Sequence, residues 1–386
     1  MSPATATRDV VVIGAGAVGA ACAYYLSEAG LSVTVLDRGS VASGTTGAGE
    51  GNILVSDKQP GPELALALLS GRLWRELDPE VAASAELELK GGLVVAPQEQ
   101  ALDALRVLAE SQAAAGVQTE AVSGERLREL EPELAQDLPG AILYPQDMQV
   151  QPMLAAAHLL AAARARGAQV RLGEAVTALR RAGERVTGVV TESAEISAGA
   201  VVNATGAWAS QTASLAGVHV PILPRRGFIL VTEPLGAVIR HKVYDAAYVA
   251  DVASSAEGLE TSAVVEGTKS GTVLIGASRE RVGFDPETST PVLARLARQA
   301  IRLFPMLERV RSLRAYRGFR PYCPDHLPVI GPDPRAPGLL HACGHEGAGI
   351  GLAPVTGWLI AQCATGRAPD VSLAPFAPER FGEGGT

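Results

Sequence analysis

After a short polar start, the chain opens on an apolar run, Val10 to Ile13, that reads as a strand buried on both faces. Ala17 to Ala29 reads as an Ala-rich helix with Gly30 at its C-terminal cap, and a second strand, Leu31 to Leu36, ends at Asp37. Regular pattern then stops from Arg38 to Asn52, where small residues and hydroxyls dominate. Helical spacing returns over Pro62–Leu77 and Gln98–Ala114, with a hairpin expected around Gly91-Gly92 within Leu87–Ala96. Pro152 opens a long helix to about Arg166. The period then shortens, and strands are expected at Gln169–Leu172, Ala175–Leu179, Arg185–Thr191 and Ala200–Asn203. Pro221–Thr232, Val243–Val252, Ala263–Glu266 and Thr272–Gly276 read as further strands of an antiparallel sheet. A helix over Pro291–Phe304, strands at Leu313–Phe319 and Leu339–Cys343, and a helix over Thr356–Ala364 follow; the tail from Glu379 reads as disordered. Such an order of elements predicts an α/β (α+β) chain: a Rossmann-like unit joined to a mostly antiparallel sheet.

Composition narrows the class without naming a chemistry. The 386 residues are 47% hydrophobic and 19% charged, as in a globular protein with a large core. A net charge of −8 and the lack of a basic run argue against a nucleic-acid surface. Cys22, Cys323, Cys343 and Cys363 have no C-x-x-C spacing, so reduced thiols and no metal site are expected. Met1 to Asp9 lacks a basic segment before an apolar core, and no stretch is long enough to span a bilayer. A cytoplasmic location is the resulting expectation.

The chemistry starts at the first turn. Gly14, Gly16 and Gly19 have G-x-G-x-x-G spacing between a strand and a helix. Gly14 permits the tight turn, Gly16 lets backbone approach a pyrophosphate with Ala17 and Val18 behind it, and Gly19 lets helix and strand pack closely. The helix N-terminus favours phosphate charge, and Asp37 is placed to accept from ribose hydroxyls. The motif fits NAD and FAD alike. The loop after Asp37 carries Arg38, Ser43, Gly44, Thr45, Thr46, Gly49, Gly51 and Asn52, suited to wrapping a long ligand, although a plain surface loop has the same composition. Asn203-Ala-Thr-Gly206-Ala-Trp208 offers a second place for close backbone approach.

Five blocks in order make the chain resemble the FAD-dependent D-amino-acid oxidase, glycine oxidase and sarcosine oxidase family. They are the glycine motif, the Ser43–Asn52 loop, Ala204-Thr-Gly206, Gly318-Phe-Arg-Pro321 with Leu327-Pro-Val-Ile-Gly331, and Gly344-His-x-Gly-x-Gly349. Gly49-Glu-Gly-Asn-Ile-Leu, Asp57-Lys58 and Pro60-Gly-Pro-Glu63 look most similar to the branch of D-hydroxyproline dehydrogenase, opine oxidase and hydrogen cyanide synthase flavin subunits. The resemblance implies a discontinuous FAD domain over 1–82, 145–216 and 312–386, and a substrate domain over 83–144 and 217–311. It places Val176, Ala204, Thr205, Gly206 and Trp208 at the cofactor. It also brings Gly344, His345, Glu346, Gly347, Gly349 and Ile350 to the flavin ring. Sarcosine oxidases link flavin through a cysteine before the Pro-Asp of the last block; here Arg317-Gly318 holds that place, so FAD is expected to be non-covalent.

By the resemblance, Arg320 binds a substrate carboxylate, where a guanidinium offers two parallel donors; a structural ion pair is the competing reading. His345, Tyr248 and Tyr244 are further catalytic-site candidates against ordinary packing roles. Arg225-Arg226 reads as a solvated pair, and His326 as a turn cap. The expected activity is oxidation of the Cα–N bond of an amino acid or secondary amine, such as D-proline, glycine or another small D-amino acid. A hydride passes to flavin N5, giving an imine or 2-oxo acid, and electrons leave to oxygen or to an acceptor protein or quinone. The alternatives are a flavin subunit of a hetero-oligomeric dehydrogenase, or an NAD-dependent dehydrogenase. A homo- or hetero-oligomer is compatible with either.

Overall fold

A computed structural model describes residues 7–252 and 254–382. The extreme N-terminal residues and the last four lie outside the described residues. The expected disordered tail therefore falls partly outside them. Its described part corrects the expectation: Pro378–Phe381 is a turn of 3-10 helix, tied down by Arg380 Nε donating to Asp325 (2.7 Å).

Two eight-stranded sheets organise the molecule. The first is built on Thr7–Ile13, flanked in parallel by Val33–Asp37 and Glu195–Asn203 and extended in parallel by Gln169–Leu172 and Leu339–Cys343. Val329–Pro332 pairs antiparallel at one edge, and an antiparallel hairpin, Val176–Ala182 with Arg185–Thr191, joins on Glu195–Asn203. Val10, Val11 and Val12 are wholly buried, as their unbroken apolar run requires. Two helices, Ala17–Glu28 and Ala353–Ala364, lie in backbone contact beside this sheet. Gly357 makes that approach possible, because a Cβ there would stand 2.5 Å from the Ala21 carbonyl. Gly19 plays the matching part toward the turn: its Cβ would meet the Gly14 oxygen at 2.0 Å.

The second sheet runs in the order Ser312–Tyr322, Leu223–Thr232, Val273–Arg279, Glu260–Gly267, Lys242–Asp245, Gly92–Ala96, Gly140–Tyr144, Glu120–Val122. All pairs are antiparallel except Lys242–Asp245 with Gly92–Ala96. The strand Ser312–Tyr322, assigned by resemblance to the FAD unit, is thus hydrogen-bonded along its length into the second sheet. The sheet is covered by the amphipathic helix Thr290–Leu303, packed on Glu260–Gly267, Val273–Arg279 and Leu223–Thr232.

Two local expectations are corrected. Leu87–Ala96 is no hairpin: Gly92–Ala96 takes both partners from distant segments, 140–144 and 242–245. Val243–Val252 is a strand only to Asp245 and then the helix Ala246–Val252, started by Asp245 Oδ1 accepting from the Ala247 amide (2.8 Å). No helix among the described residues is long and apolar enough to cross a membrane.

Candidate active site

Between the sheets lies a cavity of about 870 Å³, large enough for a dinucleotide and a small substrate. One end is formed by the first strand–turn–helix. Gly14 has φ +115°, and a Cβ there would collide with the Ala204 oxygen at 2.4 Å. Gly16, Ala17 and Val18 line the wall, and Gly16 caps the helix with no side chain of its own. Asp37 faces the same end, its Oδ2 accepting from the Ala15 amide (2.8 Å) and its Oδ1 from the Gly39 amide (2.7 Å). Val176 lines the cavity beside Glu174 and Ala175. Arg38 lies over the Trp208 ring at 4.3 Å, and Trp208 stacks on Phe284 at 5.0 Å.

The loop after Asp37 forms the middle. Ser43, Gly44, Thr45, Thr46, Gly49 and Asn52 line the cavity, as do Ala204, Thr205, Gly206 and Trp208 opposite. Thr46 Oγ1 accepts from the Ala17 amide (3.0 Å), while Thr45 Oγ1 donates to the Phe319 carbonyl (2.7 Å). The loop is therefore pinned to both sheets rather than free on the surface.

Arg320, Tyr248, His345, Glu346, Gly347, Gly349 and Ile350 gather at the far end. Arg320 is half-buried, and its Nη1 donates to the Ser278 carbonyl (2.8 Å). Its deep enclosure, helped by nearby Arg279, lowers its pKa to about 10, so it stays charged at neutral pH. Arg279 in turn lies over the Tyr248 ring at 5.2 Å. His345 is buried, with Nε2 2.9 Å from Thr356 Oγ1. That hydroxyl donates to the Leu352 carbonyl, which leaves His345 Nε2 as the donor.

Four candidates fall outside the lining. Gly19 and Gly344 shape turns behind it, and the Gly51 amide donates to Glu266 (3.1 Å) with no room for a Cβ against Val150. Tyr244 is fully buried beneath the cavity, its hydroxyl donating to Asp147 (3.0 Å) and contacting Ser56. The Arg225-Arg226 pair is also not solvated: Arg225 pairs with Glu260 (3.0 Å) and Glu346 (3.7 Å), and Arg226 with Glu280 (2.9 Å) and Asp285 (2.5 Å). His326, at φ +60°, reaches Glu346 at 2.9 Å. Cys323 does not line the cavity, whereas Cys343 does.

Among the lining residues not read from the sequence, one is a buried acid. Glu50 is 8% exposed, and its Oε1 has no hydrogen-bond partner among the described residues. Burial holds its carboxyl above the usual range, against the opposing charges of Lys242 and Arg320. An acid in the middle of Gly49-Glu-Gly51 was the available signal.

Burial also lowers the His345 pKa to about 3 from an ordinary 6.5. The folded protein thus keeps this ring neutral while the unfolded chain takes up a proton below pH 6.5. The stability contribution is whole above pH 6.5 and falls as pH drops toward 3, by about 1.4 kcal/mol per unit. Between pH 7.5 and 5, wild type should lose about 2 kcal/mol more than His345→Asn, read from urea midpoints. Parallel losses would mean the ring is not buried in its neutral form.

A cavity of this length, walled by glycine backbone at one end and an arginine at the other, marks a nucleotide-dependent oxidoreductase. The chain belongs to the FAD dependent oxidoreductase family, whose profile matches residues 9–363. It is 30% identical to hydrogen cyanide synthase subunit HcnC of Pseudomonas aeruginosa over 97% of this chain and 96% of that protein. It is 32% identical to the bifunctional protein ThiO/ThiG of Trichormus variabilis over 97% of this chain and 55% of that longer protein. The crystal structure of glycine oxidase from Geobacillus kaustophilus superposes with a TM-score of 0.87 at 27% identity, covering 97% and 99% of the two chains. The cofactor is FAD, and the NAD-dependent alternative falls with the family assignment.

Proposed function

We propose that this enzyme oxidises the Cα–N bond of a small amino acid or cyclic secondary amine bearing a carboxylate. The observation that carries the reading is Arg320, a charged guanidinium lining the cavity whose one hydrogen bond among the described residues goes to a neutral carbonyl. Gly14, Gly16, Ala17, Val18, Asp37, Arg38, Thr45, Thr46, Val176 and Ala204 to Gly206 would hold the FAD, without a covalent bond, and His345, Glu346, Gly347, Gly349 and Ile350 would face its ring. The cradle fits such a group because the Gly14 turn packs against the Ala204 carbonyl with no room for a side chain, and the loops around it are already pinned. Bound FAD supplies the acceptor for the hydride that leaves the substrate carbon. Arg320 fixes the substrate carboxylate and so aims that carbon, which supplies orientation rather than acid–base chemistry. Tyr248 and Ile350 wall the remaining space and keep water low.

D-proline, L-proline, D-alanine, glycine and sarcosine, mixed anaerobically with the yellow protein, test this. Bleaching of the flavin by at least one is expected; bleaching by none would sink the proposal. Reoxidation by air or only by a dye then separates an oxidase from a dehydrogenase. The full-length similarity to HcnC favours a second reading, a flavin subunit working in an assembly. That reading expects substrate to bleach the flavin while steady turnover with either acceptor stays slow in the isolated chain.

A further inference from the structure

We propose that Glu50 is the amine side of the substrate site: its carboxylate accepts hydrogen bonds from the substrate nitrogen and takes its proton, while Arg320 holds the carboxylate. This rests on the amino-acid reading above and adds the group that recognises the second half of the molecule.

The placement comes from three glycines of the second sheet, of which Gly227 and Gly318 line the cavity. Gly227 and Ile229 are two apart on one strand and so face the same way. Arg320 covers Gly227, where a Cβ would stand 2.1 Å from Nη1. Glu50 covers Gly276 beside Ile229: a Cβ on Gly276 would stand 2.8 Å from Glu50 Oε1 and 2.9 Å from Ile229 Cδ1. Gly318 on the next strand admits Ala48, its Cβ position lying 2.7 Å from the Ala48 Cβ, and this seats the loop that carries Glu50. Two residues along a strand is about 7 Å. Two charge-assisted hydrogen bonds of about 2.8 Å each, with the single carbon that separates amine from carboxylate in an α-amino acid, fill that gap.

Among the described residues, Glu50 Oε1 has no hydrogen-bond partner. Lys242, whose charge most favours the Glu50 carboxylate, is itself paired with Glu266, and Asn52 hydrogen-bonds the Glu50 carboxyl. A buried carboxyl oxygen without a donor is costly, and a substrate N–H removes that cost. The titratable groups facing it are Lys242 and Glu266 from two strands, Tyr316 and Arg320 from a third, and Tyr248 from the helix. In the step itself an N–H bond of the substrate ammonium breaks and an O–H bond forms on Glu50. The lone pair stays on nitrogen, and no electron leaves the substrate. Burial makes this carboxylate a stronger base than an exposed one.

The test uses FAD-loaded protein, Glu50→Gln and Glu50→Asp, with D-proline and glycine as substrates and cyclopentanecarboxylate as a ligand lacking the amine. Glu50→Gln should lower kcat/KM for the amino acids by roughly 10- to 100-fold and move the acid limb of its pH profile to higher pH. Glu50→Asp should keep that limb. Cyclopentanecarboxylate affinity, read from the flavin absorbance shift, should match wild type in both. An unchanged pH profile in Glu50→Gln, an equal loss of cyclopentanecarboxylate, or loss of bound flavin from both variants would each overturn the proposal. Cyclopentanecarboxylate bound equally well by Arg320→Met, or a wild type inert to both amino acids, would instead overturn the underlying reading of the site, and this one with it.

Discussion

Arg320→Met should lower kcat/KM for D-proline by roughly 10²-fold or more and change that for pyrrolidine far less. The guanidinium lines the cavity wall; among the described residues its one hydrogen bond goes to the Ser278 carbonyl, and Arg279 repels it more than Glu50 attracts it. An anionic ligand relieves both the poor solvation and the repulsion, so acids are favoured over plain amines. Truncating one partner of a desolvated charge pair costs about 2–5 kcal/mol, which sets the expected fold-change. Methionine keeps the length and apolar stem of the side chain, so the wall stays filled. The measurement is kcat/KM for both substrates in both proteins. Equal losses on D-proline and pyrrolidine would assign Arg320 to the fold or to FAD rather than to the carboxylate.

Asp37→Ala should release FAD on dialysis while the chain stays folded. Its two carboxylate oxygens accept the Ala15 and Gly39 amides, so one side chain fixes the glycine turn and the following loop at the same end of the cavity. Loss of hydrogen bonds to a charged acceptor costs about 1.5–3 kcal/mol, or roughly 10- to 150-fold in affinity. Flavin content after dialysis, normalised to protein, reads the effect. Asp37→Asn keeps one acceptor oxygen and should fall between. Retention equal to wild type in Asp37→Ala would remove the residue from the cofactor site.

The dinucleotide end was legible in the sequence because its signals are local. An apolar run, spaced glycines, an Ala-rich helix and an acid after the next strand lie within the first 37 residues, and each determines its own backbone. The substrate end was less legible because its contacts are long-range. Tyr244 and Tyr248 look equivalent by spacing, yet Asp245 starts a helix between them and sends one beneath the cavity and the other onto its wall. Val243 to Val252 is rich in β-formers, and a single capping carboxylate outweighs that preference. Arg225 and Arg226 resemble a solvated pair until Glu260, Glu280, Asp285 and Glu346 arrive from distant segments. Glu50 sits in a loop whose glycines and hydroxyls draw the reading to the cofactor, and its neighbour Gly276 stands far away in the chain.

The bare glycine positions of the second sheet limit how this enzyme can drift toward new substrates. A methyl group at Gly227, Gly276 or Gly318 would strike Arg320, Glu50 or Ala48 before it could reshape the cavity. Adding a carbon at these glycines therefore displaces Arg320, Glu50 or the loop at Ala48 rather than trimming the cavity. Selection for a larger or differently charged substrate would have to act on Ile229, Tyr248 or Ile350, which line the cavity with side chains that can shrink, or replace a charged residue outright. Directed evolution would accordingly gain more from libraries at those three positions than from random mutagenesis of the sheet.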